Sequence, residues 1–543
     1  MSAVSRRGLL LRGALGAAST TALGRAIRAP RAEAADRDEP TNAVLIVAPG
    51  IRADYVNEFD GDAPHGTPNL DRLAGQSLRF HRVWPDAMPA LPVRRCLMTG
   101  TRAFPFRDWR RTDGLADAPG FCPILDHQPL ITEVTERGGV TTAWLSDNPL
   151  LDGPRFGAVR RVGRVERGPA PPATIDGEVL PALERQRRAV ERTTRAGVEL
   201  LPGLGRRAPF FLALDPFDPQ DAYYAPRTFV RPGAVEENGF GLGDRFVETR
   251  FGDDEIGRVR DRYSDVVAAV DDGVGRVMGR LEDLDLLGST AVFVVGDCGM
   301  ALGEHGFISR GGPTSHRRSQ EIVYMVRDPG GRRAGDESRY LASTRDVPTT
   351  LLAYLDLVAP GKMDGEDLTS LLDDEDTPER SHFTAAVGTD MVAANRRWLL
   401  YIDLVERKRR LFDDEEEDEE SYVNVANDEP GVVQDLSLVI GQAAGGTVPE
   451  FGPEGSQRPA PEEDPKDKDG DGIPNDEDPV DNDDEADDDY RDRNYVPPGC
   501  VVCGTVLAAN SRFCSSCGAA VMRRLARDDG EPEEEPEGAA HEH

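Results

Sequence analysis

The chain shows short, wholly apolar runs separated by longer stretches in which apolar residues recur at helical spacing. Ala43-Val44-Leu45-Ile46-Val47-Ala48 runs into Pro49-Gly50 and predicts a buried parallel strand. Thr141 to Ser146, Phe210 to Asp215 and Thr290 to Val295 predict three more. Between them, Thr67-Pro68 predicts a helix start, with Thr as N-cap and Pro at the first helical position. Leu70, Leu73 and Leu78 follow it loosely at helical spacing. Arg94 to Met98 begins a second helix, Pro129 to Gly138 predicts another, and Ile256 to Leu287 a long amphipathic one. Strands alternating with helices specify an α/β fold, a mostly parallel sheet with helices on both faces. In such sheets, sites form outside the carboxyl ends of the strands. Those ends are Pro49-Gly50, Asp215 to Asp221 and Gly296-Asp297-Cys298.

The pattern covers residues 41–441 and then stops. Residues 446–463 are rich in Gly, Pro and Glu and read as a linker, and an Asp-rich segment occupies 464–489. A four-cysteine module lies in 496–525, and the acidic tail 526–543 has too little apolar surface to fold. Of the formal net charge of -34, most is in this last part. Residues 41–410 hold 48 Arg/Lys against 56 Asp/Glu, whereas 411–543 hold 9 against 38. No basic surface is available for phosphate backbones, so nucleic acid is excluded as a partner. No run approaches the roughly 18 apolar residues of a membrane-spanning helix.

At the other end, Ser5-Arg6-Arg7-Gly8-Leu9-Leu10 precedes a weakly apolar run from Gly13 to Gly24, and Ala32-Glu33-Ala34 offers a small-x-small cleavage site. Residues 1–34 therefore read as a twin-arginine signal peptide for export of a folded protein; the alternative is a disordered basic leader. Export would place the protein in the periplasm, on the cell surface or outside the cell.

Two tail segments have metal-ligand spacing. Cys500 and Cys503, then Cys514 and Cys517, form two knuckles, each followed by glycine, and predict a zinc ribbon. Two disulfides are the alternative; export in general would favour them, but twin-arginine export of an already folded protein reverses that argument, since the ribbon could fill with zinc in the reducing cytosol first. The ribbon lacks extended basic clusters and reads as a structural or protein-contact module. Asp467, Asp469, Asp471, Asn475 and Asp478 follow the spacing of a calcium loop, with Gly472 at its turn. The alternative is a solvated acidic linker.

Six segments, in order, resemble the sulfatase and alkaline-phosphatase superfamily over about 400 residues. They are NAVLIVAPGIRAD, TPNLDRLAGQSLRFHRVW, PALPVRRCLMTGTRAFPF, FFLALDPFDPQDAYYAP, AVFVVGDCGMALGEHG and the closing LFDDEEEDEESYVNVANDEPGVVQDL. The resemblance implies an alkaline-phosphatase-like fold with a smaller C-terminal subdomain, hydrolysis of sulfate or phosphate esters, and a divalent cation such as calcium. It also implies where this chain departs from the pattern. The first metal carboxylates fall on Pro49 and Gly50, and the nucleophile falls on Ala90, two residues before Pro92 and four before Arg94. The strand-end histidine falls on Gln220; Asp297 is kept, but Cys298 replaces the histidine or asparagine after it. Glu304 and His305 match, and Arg310 stands for the expected lysine. Ester hydrolysis needs an attacking oxygen and cations that neutralise a charge-rich transition state. The sequence therefore predicts an exported, catalytically impaired member. Its remaining Asp297, Arg94, His305 and Arg310 would either form a pocket for a sulfated or phosphorylated ligand or be a remodelled end of the sheet, and the ribbon could contact a protein partner. An active hydrolase with an atypical site is the competing expectation. Cys96 and Cys298 are expected to be packing residues rather than substitute nucleophiles.

Overall fold

The computed structural model describes residues 41–446, except 60–64, 89, 107–108, 110–119, 121, 149–150, 152–153, 163–179, 218–251, 305–307, 311–320, 360, 362, 374–379, 388–389, 404–407 and 414–423. The leader, the calcium-loop residues Asp467 to Asp478 and the four ribbon cysteines lie outside the described residues.

The main sheet has eight strands. Its order is β11 (Glu337–Ser338), β2 (Leu78–Phe80), β10 (Tyr324–Arg327), β7 (Thr290–Gly296), β1 (Asn42–Ala48), β6 (Phe210–Asp215), β4 (Thr141–Ser146) and β5 (Val159–Arg161). From β7 to β5 every pairing is parallel; β10 runs antiparallel to both its neighbours. The central strands are apolar throughout because both faces are covered. In β1, Val44, Ile46 and Ala48 enter one core, with α1 (Pro68–Ala74), α4 (Leu180–Gly205) and α5 (Asp253–Asp283). Ala43, Leu45 and Val47 enter the other, with α2 (Ala90–Thr99), α3 (Ile131–Arg137) and α6 (Asp346–Tyr354).

A second, five-stranded sheet follows the order β15 (Arg409–Asp413), β14 (Trp398–Asp403), β13 (Asp390–Ala394), β12 (Phe383–Val387) and β3 (Ala87–Met88). Helix α7 (Pro430–Ala443) covers it through Val433, Leu436 and Ile440. This is the smaller C-terminal unit, but its edge strand β3 comes from the first hundred residues. A short hairpin pairs β8 (Met300–Leu302) with β9 (Ile308–Arg310).

Helix α4 is absent from the sequence-based expectation. Its buried face mixes Leu183, Ala189, Val190, Leu201 and Leu204 with Gln186, Thr193 and Thr194, which dilutes the apolar period. The long helix runs from Asp253 to Asp283, starting before and ending before the expected span. Thr67 occupies the N-cap position of α1 but does not cap it. Its hydroxyl instead donates to Asp71 Oδ1 at 2.8 Å. The cap is tertiary: Asp271 of α5 accepts from the Asn69 and Leu70 amides at 2.9 and 2.8 Å and from Asn69 Nδ2 at 2.8 Å. Asp271→Ala is expected to destabilise the protein by about 2 kcal/mol, because it orphans buried donors. Thr67→Ala should cost less, about 1 kcal/mol or below. Urea unfolding of the two variants checks this, and equal costs would contradict the tertiary cap.

Candidate functional site

The register of the central strands brings three chain turns together. Ala48 of β1 pairs with Gly296 of β7, so Pro49-Gly50 leaves the sheet beside Asp297. On the other side of β1, strand β6 ends at Asp215. Gly50 has a φ of 69°, a conformation that glycine adopts without strain. Its amide points at Asp297 Oδ1, 2.6 Å away, and the Cys298 amide reaches the same oxygen at 2.8 Å.

Helix α2 places Arg94 across these strand ends. Its Nε donates to Asp215 Oδ1 at 2.9 Å, Nη1 makes a close contact with Asp297 Oδ2, and Nη2 donates to the Pro216 carbonyl at 3.3 Å. The guanidinium also lies over the Phe217 ring, 4.9 Å from its centroid. Arg94 and Asp215 are completely buried, and Asp297 is nearly so. Asp215 Oδ2 accepts from Trp144 Nε1 and Ser146 Oγ of β4, each at 3.1 Å. Burial opposes the charge on Arg94, but Asp215 and then Asp297 outweigh it and raise its pKa above the ordinary value. The arrangement is a buried charge network, with a cation bridging two carboxylates.

The turn after β1 is fixed from two further directions. Tyr263 of α5 donates to the Gly50 carbonyl at 2.6 Å and accepts from the Arg52 amide at 2.9 Å. Gln186 of α4 makes a close contact with the Pro49 carbonyl. Arg52 itself binds Asp54, the Met300 carbonyl at 3.0 Å and Glu304 Oε1 at 2.6 Å. Glu304 Oε2 accepts from the Leu302 amide at 2.5 Å. Burial favours the neutral acid at Glu304, yet Arg52 outweighs it and lowers the pKa.

A family model described as Sulfatase matches residues 41–357, more than half of the chain. The chain belongs to the sulfatase family. Among curated relatives, N-acetylgalactosamine-6-sulfatase of Homo sapiens is 25% identical over 372 residues, covering 62% of this chain and 66% of that protein. The multifunctional alkaline phosphatase superfamily protein PehA of Trinickia caryophylli is 24% identical over 398 residues, covering 61% of this chain and 77% of that protein. The chain thus spans just under two thirds of the length of the first of these. Two solved structures share the fold. One, in complex with its substrate D-glucosamine-2-N,6-O-disulfate, has a TM-score of 0.56 at 15% identity and covers 75% of this chain and 97% of that one. The other, the phosphonate monoester hydrolase of Agrobacterium radiobacter, has a TM-score of 0.55 at 17% identity and covers 74% and 96%.

In this sulfatase-family chain the site residues expected from the sequence fall into three groups. Asp297, Cys298, Arg94 and the Pro49-Gly50 turn come together, and Ala90 opens α2 one turn before Arg94. Arg310 lies on β9, opposite Met300, and its side chain is outside the described residues. Gln220 and His305 are outside them altogether. Cys96 and Cys298 are buried, and burial holds the Cys96 thiol well above its usual pKa. The role of Asp215 went unrecognised, although a carboxylate ending an apolar run signals a buried partner. Arg52, Tyr263 and Gln186 carry no such signal.

The divalent cation that the resemblance implies would need several oxygens converging at about 2.3–2.6 Å. Pro49 and Gly50 bring no side-chain oxygen, and their carbonyls accept from Gln186 and Tyr263. All four oxygens of Asp215 and Asp297 accept hydrogen bonds from the protein. Among the described residues no cluster of three or more His, Cys, Asp or Glu could hold a metal. The described residues do not fit such an ion.

Because its folded-state pKa is depressed, Glu304 contributes stability above the ordinary glutamate range, and this is lost as pH falls through the folded pKa. Glu304→Gln should therefore cost about 2–3 kcal/mol at pH 7, leaving Arg52 underpaired. The difference from the parent chain should shrink as the pH drops below about 4. Unfolding curves at several pH values test this, and a cost independent of pH would contradict it.

Proposed function

We propose that this chain is a sulfatase-family protein that binds or scaffolds rather than hydrolyses. The observation that carries the reading is the Arg94 bridge between Asp215 and Asp297, in which every carboxylate oxygen accepts a hydrogen bond from the protein while the neighbouring Pro49-Gly50 turn brings no side-chain oxygen. Two features of the sequence support it. Ala90 offers no attacking oxygen at the position the resemblance gives to the nucleophile, and Pro49-Gly50 offers none at the metal turn. The reading includes export through the twin-arginine leader, zinc held by Cys500, Cys503, Cys514 and Cys517 in a partner-contact module, and calcium in the Asp467 to Asp478 loop. Any sulfated or phosphorylated ligand would be bound without turnover, at groups other than Arg94. Among the described residues no helix is long and apolar enough to cross a membrane.

The competing reading is an active ester hydrolase, and the sulfatase and phosphonate hydrolase relatives favour it. Assays of the full chain with aryl sulfates and aryl phosphates, with added calcium, magnesium or manganese, separate the two. The expected outcome is no turnover above that of Asp297→Ala, and no gain on Ala90→Cys. Metal-dependent turnover abolished by Asp297→Ala would establish the hydrolase.

A further inference from the structure

We propose that Arg345 and Asp86 form a site for a small oxyanion that carries a proton, hydrogen phosphate or hydrogen carbonate, where α6 meets the second sheet. The site is separate from the Arg94 bridge and does not depend on whether the chain hydrolyses esters. Asp86 lies just before β3, Arg102 after α2, Arg345 at the N-cap of α6 and Arg380 before β12. The Asp86 amide donates to Thr344 Oγ1 at 3.0 Å, which ties its turn to the one that carries Arg345. Two of the three arginines are matched with acceptors. Arg102 Nε donates to Asp86 Oδ1 at 2.5 Å, and its Nη2 donates to the carbonyl and Oγ1 of Thr384 at 2.9 and 2.8 Å. Arg380 holds both oxygens of Asp346, at 2.9 and 2.8 Å, and also donates to the Leu341 carbonyl at 3.0 Å. Arg345 is not matched in this way. Its Nη1 stands 3.7 Å from Asp86 Oδ1, beyond hydrogen-bond reach, and its buried Nε has no partner among the described residues. Burial and then the Arg102 charge lower its pKa, with a further contribution from Arg380, and Asp86 and Asp346 do not make up the difference. The side chain is 12% exposed, which leaves part of it in reach of solvent.

Asp86 has the complementary need. It is completely buried, its Oδ1 is engaged by Arg102, and its Oδ2 has no donor among the described residues. A buried donor without an acceptor and a buried acceptor without a donor are each costly, and in native proteins such groups mark a bound water or ion. A guest that meets both must accept from the guanidinium and donate to the carboxylate. An oxyanion matches the planar fork of Arg345 and brings the charge it lacks, which water does not. The donor requirement narrows the class. Sulfate and chloride carry no proton near neutral pH and would set negative charge against Asp86. Hydrogen phosphate and hydrogen carbonate each keep one O–H to give.

The test is equilibrium dialysis of the full chain at pH 7 and constant ionic strength, against labelled phosphate and, separately, labelled hydrogen carbonate. The buffer is free of calcium, so that no metal in the tail can hold the anion. One of the two should bind at about one per chain, with a Kd on the order of 1 mM. A tenfold excess of sulfate should leave that binding unchanged. Arg345→Met should weaken it at least tenfold, yet melt within about 2 °C of the parent, because it removes no hydrogen bond to the protein. Asp86→Asn presents an N–H in place of the bare oxygen, and should let sulfate compete at least ten times better than it does on the parent chain. Binding of neither labelled anion would overturn the proposal and leave water as the partner of both groups. Displacement by sulfate from the parent chain would overturn it too, as would Arg345→Met binding like the parent. If Arg345→Met does not fold, the sulfate competition on the parent chain and on Asp86→Asn decides.

Discussion

The bridge from Arg94 to Asp215 and Asp297 is the constraint around which the sheet's carboxyl end is organised. It joins the ends of β6 and β7 through one side chain of α2, and the Gly50 amide joins β1 to the same carboxylate. Each partner is buried and would be costly to leave alone. The surrounding groups follow from that. Trp144 and Ser146 turn inward from β4 to finish Asp215, and Tyr263 and Gln186 arrive from α5 and α4 to finish the Gly50 and Pro49 carbonyls. The polar core of the site is thereby satisfied by the protein itself.

Much of the fold was legible because the central strands are unbroken apolar runs. Thr141–Ser146 and Phe210–Asp215 have the bounds that the pattern predicts, and β1 and β7 extend the predicted runs by one residue each. Their order in the sheet, with β1 between β6 and β7, is set by contacts more than 150 residues apart and is not written in any local pattern. Helix α4 escaped because three of its buried positions are polar. Thr67 misled because the local capping rule was overridden by a carboxylate from a distant helix.

The site was legible as a location but not as an arrangement. The three strand ends and Arg94 could be named from motif order. That Arg94 would bind both aspartates could not, since Asp215 stands 121 residues from Arg94 and Asp297 stands 203. The family resemblance pointed to the positions where this chain departs from the pattern, while the geometry shows how Arg94, Asp215 and Asp297 bind one another.

The central place of β1 also has a consequence in time. It is the first of the described strands to be made, yet its partners in β6 and β7 begin 168 and 248 residues later, as the pairs Ala43 with Phe211 and Asn42 with Thr290 show. At about 5–20 residues per second of synthesis, β7 would follow β1 by roughly 12–50 s. Strand β6 can pair with β1 from one side once it is made, but the edge that faces β7 stays open through the whole interval. The earliest of the described strands to be synthesised is thus among the last to have both its edges paired.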